Sequence, residues 1–181
     1  MEKKRVFWSI LSIMMVAMLS IGLSSCNKDD DDEGGSGNGG KFTCGGKSYG
    51  ISYGYYNYDT RDSKRCDLSF TNFDQYDISD RPSSINYAGI SFYPSGTSGE
   101  EVPTGEFENF RVCLVTGAEE NNVRDNYWEG NGNANAKLII KKNGNKYSVS
   151  FSNLTIGNDV DEIHGVTLNY TGTLILDEIE H

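Results

Sequence analysis

The chain has 181 residues, a formal net charge of −10, 36% hydrophobic and 12% aromatic residues, 21 Gly and only 3 Pro. An acidic surface repels phosphate backbones, which argues against nucleic acid as a partner. Abundant tyrosine and glycine with little proline fit a turn-rich β protein rather than a disordered chain.

The first segment is an address. Glu2-Lys3-Lys4-Arg5 is mostly basic, and residues 6–23 are mainly apolar. A basic start followed by an apolar run is the pattern of a secretory signal peptide. A run of ~18 apolar residues could also just span a bilayer as an anchor. The residues that follow favour the signal peptide. Leu23-Ser24-Ser25-Cys26 resembles the bacterial lipobox, in which a dedicated peptidase cuts before the cysteine. The resemblance implies removal of residues 1–25 and lipidation of Cys26. One acyl chain holds a membrane only marginally, at ~0.8 kcal/mol per buried methylene, so three chains would hold it effectively permanently. Asn27-Lys28 and the acidic run Asp29–Glu33 come next, a self-repelling solvated linker in any reading. The same block is similar to the export tag of Bacteroidetes-type surface lipoproteins. It implies an outer-membrane location with the chain facing the cell exterior. Gly34–Gly40 is a flexible tether, so 26–40 forms lipidated cysteine, tag and linker.

Residues 41–181 form the folded candidate, long enough for one domain with a real core. The removed segment carries three cations and one anion, so the mature chain carries −12. Strand patterns recur with turn chemistry between them, and no stretch keeps a helical period. Eight strands are predicted, at 41–44, 47–58, 66–74, 85–93, 106–115, 136–142, 146–154 and 164–177. The fold expected is all-β, a single antiparallel sandwich of about eight strands. A lipocalin-like closed barrel is the alternative.

In chain order, Ser48–Tyr58 is the most aromatic stretch. Strict alternation puts Tyr49, Ile51, Tyr53 and Tyr55 on the core face. It puts Tyr56 and Tyr58 on the opposite face, beside small residues, where rings could stack on a sugar or a partner. Arg124–Asn135 reads as a long polar loop holding Tyr127 and Trp128. Those rings either plug one end of the core or form an exposed ligand surface. Asn143-Gly144 is the favoured pair for a type I′ hairpin, which would set Ile140 opposite Tyr147 and Leu138 opposite Val149. Asp159, Asp161 and Glu162 crowd one turn and are a weak calcium candidate without the spacing of a known loop. In the last strand Val166, Leu168, Tyr170, Leu174 and Leu176 share a face, and Gly172 marks a bulge or bend.

After Cys26, three cysteines remain. Cys44 and Cys66 point inward by phase, and Cys113 points the other way. The compartment permits a Cys44–Cys66 disulfide, and free buried thiols are the equal alternative. No catalytic motif, metal-binding cysteine pair or phosphate loop is present, so neither catalysis nor a cofactor is expected. Stretches such as "FTCGGKSYGIS", "VPTGEF" and "YTGTLIL" resemble the β domains of small Bacteroidetes-type lipoproteins. That group implies no established activity to carry over. The resulting expectation is a surface-exposed, non-catalytic binding module for glycan or a partner protein, held at the membrane through Cys26. The alternatives are an accessory subunit of an outer-membrane complex and a lipocalin-like small-molecule carrier.

Overall fold

Period-2 alternation dominates the chain from residue 39 onward, and the computed structural model is all-β as a result. It describes residues 38–177 except 60–64, 78, 80, 96–100, 120, 121 and 134. The expected signal peptide, the Cys26 expected to be lipidated, the acidic run and most of the Gly-rich stretch lie outside the described residues.

Twelve strands are present among the described residues. They are β1 (Gly39–Cys44), β2 (Lys47–Ile51), β3 (Tyr53–Asp59), β4 (Arg65–Thr71), β5 (Ile85–Phe92), β6 (Gly105–Phe107), β7 (Phe110–Ala118), β8 (Tyr127–Asn131), β9 (Leu138–Asn143), β10 (Lys146–Gly157), β11 (Glu162–Gly172) and β12 (Ile175–Leu176). Ten of them follow one path, β12-β3-β4-β5-β7-β8-β10-β11-β1-β2, while β9 branches from β10 and carries β6. All pairings are antiparallel except the short β12–β3 pair. The result is a curled open sheet, a half-barrel. The all-β class expected from sequence is what the structure shows; the single sandwich of about eight strands is not confirmed. Each strand instead hydrogen-bonds onward to the next, so the curl of one sheet encloses the core. Twist accumulates in one sense across a long sheet, and an apolar inner face drives it to curl on itself.

The inner face carries Phe42, Leu68, Phe70, Ile90, Phe92, Val112, Leu114, Val149, Leu168 and Tyr170, all essentially inaccessible. Rings fill the interior. Phe70 lies 4.7 Å from Tyr170, Phe92 lies 4.6 Å from Phe107, and Phe42 stacks on Tyr49 at 5.1 Å. Each such side chain stabilises the fold by roughly 1.5–3 kcal/mol through burial alone.

Three local features differ from the sequence reading. First, Ser52 falls between β2 and β3 and donates its N–H to Thr71 O at 2.7 Å. This extra residue flips the phase. Tyr49 and Ile51 face inward opposite Phe42 and Gly40, but beyond Ser52 the inward residues are Gly54, Tyr56 and Tyr58, opposite Phe70, Leu68 and Cys66. Tyr53 and Tyr55 therefore leave the core face. Tyr55 is still fully buried, because the 72–77 loop covers it and its hydroxyl donates to Asp74 Oδ1 at 2.9 Å.

Second, the β9–β10 hairpin pairs Asn143 with Lys146, Lys142 with Tyr147 and Ile140 with Val149. The two-residue turn is Gly144-Asn145, not Asn143-Gly144. Gly144 holds φ +63 while Asn145 keeps a negative φ, which matches the type II′ preference for glycine at the first central position. Moving the turn by one residue changes partners but not faces, because each residue keeps its parity. Leu138, Ile140, Tyr147, Val149 and Phe151 are buried as the pattern predicts.

Third, β11 ends at Gly172, where the chain leaves the sheet before β12 joins β3. Tyr170 Oη donates to Thr173 O at 3.0 Å across this bend.

Candidate functional site

Alternation also determines the outer face of β4, β5, β7 and β8, and there it leaves polar side chains in rows. Register pairs Asp67 with Ser91, Ser91 with Arg111, and Arg111 with Asn131. Carried one residue past the strand ends, the same register sets Tyr93 between Arg65 and Asn109. These two rows form a groove of about 410 Å³ lined by Arg65, Ser91, Tyr93, Asn109, Phe110, Arg111, Asn131 and Gly132. Tyr93 is 56% exposed, one of the most exposed large rings among the described residues.

The arginines are aimed by carboxylates behind them. Arg65 Nε donates to Asp67 Oδ2 at 2.9 Å, and Arg111 pairs with Glu129. The Glu129 carboxylate raises the Arg111 guanidinium further above its already high value. Pairs this open to solvent add little to stability, so their consequence is orientation. Gly132 N–H donates to Phe110 O at 2.7 Å, closing one wall. A Cβ on Gly132 would stand 2.0 Å from the Phe110 ring, so only glycine lets the chain cross that ring so closely.

One step along the same face, Tyr87 packs beside Cys113 over Gly89, and its hydroxyl lies 3.3 Å from Ser69 Oγ. Cys113 stands on the outer face, as its phase predicts. Partial burial raises its thiol pKa.

The candidate residues of the sequence reading fall elsewhere. Tyr56 and Tyr58 point into the half-barrel and pack against the core. Tyr58 Oη donates to Glu101 O at 2.7 Å. Burial raises the Tyr56 phenol, and Glu101 in turn accepts from Lys142 Nζ at 2.8 Å. Arg124–Asn135 is not a loop throughout. After a 3-10 turn at Arg124–Asn126 it forms β8, held by five register pairs to β7. Trp128 faces inward opposite Leu114 and packs on the core, which is the plug reading rather than the exposed one. Tyr127 faces outward opposite Val115 and is half-buried. The short Gly- and Asn-rich run hides β8 because its stability comes from its neighbours.

Asp159, Asp161 and Glu162 lie at the β10–β11 turn, exposed, where Asn158 Oδ1 accepts from the N–H groups of Val160 and Asp161. No group of three or more ligating side chains able to hold a metal gathers among the described residues. The Cys44–Cys66 disulfide is not formed. Both are free buried thiols, with burial pushing Cys44 up to about 11 and Cys66 up to about 12.

None of the groove-lining residues stands out in the linear sequence. The one signal there is that Arg111 shares the outward phase of Cys113. Nothing linear, however, links β4, β5, β7 and β8 into adjacent rows. Comparison with known proteins finds no matching family model, no matching curated protein and no matching solved structure.

Proposed function

We propose that this chain is a lipid-anchored, non-catalytic surface domain whose outer-face groove binds glycan. The groove containing Tyr93 is the observation that supports this reading. It joins an exposed ring, suited to the apolar face of a sugar, with Ser91, Asn109 and Asn131, whose side chains can donate to and accept from hydroxyls. A volume of about 410 Å³ lies within the usual range of small-ligand sites. The anchor is Cys26, on the outer membrane and facing outward, as its lipobox and acidic tag imply.

Two measurements test the reading. On a glycan array, the full chain is retained and Tyr93→Ala lowers retention about tenfold, the scale of one lost aromatic contact. An array with no retained glycan rejects the proposal. In cells, Cys26→Ser abolishes incorporation of labelled palmitate. Label persisting in that variant would place the lipid elsewhere and remove the anchor.

A second reading, an accessory subunit of a membrane complex, draws support from one patch. Tyr76, Ile175 and Leu176 are exposed at 59%, 43% and 45% beside β3. Stable co-purification with a membrane protein that Leu176→Asp disrupts would favour it. The carrier reading needs an enclosed cavity and finds no support in an interior filled by rings.

A further inference from the structure

We infer that the groove selects a carboxylate-bearing sugar, a uronic or sialic acid unit of a glycan, through Arg65 and Arg111. This rests on the glycan reading above and narrows it. The chain carries 16 Lys and Arg against 26 Asp and Glu, so two arginines lining one groove are a local concentration of guanidinium. Among the described residues, two arginines and no carboxylate line it, and Asp67 and Glu129 pair with those arginines from its margin. The neighbouring depression is the opposite: about 600 Å³, lined by Glu129, Asp159, Asp161 and Glu162 and by no Lys or Arg. Of these two adjacent concave surfaces, only the first places guanidinium groups among its described lining residues, where an anion can meet them.

The placement of the groups fits a charged sugar. Arg65 of β4 stands beside Tyr93, and Arg111 of β7 stands beside Ser91, two residues further along β5. Strands two apart in a sheet are separated by ~10 Å, the span of one to two sugar rings rather than of a single small ion. Tyr93 stands at the same edge. A pyranose can thus lie on the ring while its carboxylate meets a guanidinium. Arginine presents five N–H donors in a planar fork that matches a carboxylate two-to-two. Asp67 and Glu129 hold these forks in place from behind, so less side-chain freedom is lost when a ligand binds. The net negative charge of the chain disfavours long polyanions, which limits recognition to a short anionic segment.

The test compares matched oligosaccharides by calorimetry with the full chain. Galacturonate, glucuronate and sialate oligomers are each set against their neutral counterparts, with a sulfated glycan and an oligoglutamate peptide as further arms. At least one carboxylated sugar binds about tenfold or more tighter than its neutral match, and the preference shrinks as salt rises. Arg111→Gln and Arg65→Gln each reduce the preference several-fold and leave the neutral match bound as before. Tyr93→Ala weakens both members of a pair alike. Equal binding within every pair overturns the carboxylate inference and leaves the glycan reading standing. Preference for the sulfated glycan, or binding of oligoglutamate alone, also overturns it. No binding to any oligosaccharide removes both readings.

Discussion

Tyr58 and Tyr93 stand two strands apart in the same curled sheet and reach opposite environments. Tyr58 points inward and spends its hydroxyl on Glu101 O, while Tyr93 faces solvent and lines a groove. Trp128 falls with Tyr58, although Asn126, Glu129 and Gly130 flank it and Tyr127 in the sequence. Strand phase, more than the polarity of flanking residues, decides whether an aromatic ring builds the core or is left to bind; Tyr55 is an outward ring that the 72–77 loop buries. Interior rings are therefore matters of stability, and outer rings are candidates for recognition.

The sharpest way to break this comparison is at the centre of the inner face. Phe70→Ala removes a fully buried ring packed on Tyr170, and urea unfolding should register a loss of about 3–5 kcal/mol. Trp128→Ala comes next. Its ring is only partly buried, so the loss should be smaller, about 2–3 kcal/mol. Wild-type stability in that variant would return Trp128 to the surface and undo the assignment of β8.

An alkaline titration probes the inner face without mutation. Cys44 and Cys66 are raised by burial from 9.0 to about 11 and about 12. A raised folded pKa means that the unfolded chain gives up its protons first. Stability is thus intact below pH 9 and falls as pH rises through 11. Each thiol lowers it by up to ~1.4 kcal/mol per pH unit within its window. A urea midpoint that stays flat from pH 8 to 10.5 would show that these thiols are not buried. The smallest effect belongs to the outer face: Tyr93→Ala should shift unfolding by no more than ~0.5 kcal/mol while costing glycan retention. A large destabilisation there would make Tyr93 structural and erase the contrast.

Much of the inner face is legible in the sequence. Alternation identifies Cys66, Ile140, Val149, Leu168 and Tyr170 as inward, because a side chain's face depends only on parity along its strand. The same rule explains why a hairpin turn placed one residue early does no harm, since the shift preserves parity. It also explains the failure at Ser52. A single added residue reverses parity, and no propensity marks Ser52 as that residue. β8 escapes the sequence for a related reason: its five residues form a strand only because β7 and β10 offer them partners.

The sequence by itself determined an all-β domain and many of its inward side chains outside β3. These depend on local order: alternation and turn residues. Only the tertiary structure decided that the strands join one curled sheet and that Trp128 lies within it. It alone brings Arg65, Tyr93 and Arg111 to one groove, from strands up to 46 positions apart in the chain. Hydrogen bonding between strands is blind to their separation along the chain. The row in which a side chain comes to rest is therefore fixed by register across the whole sheet.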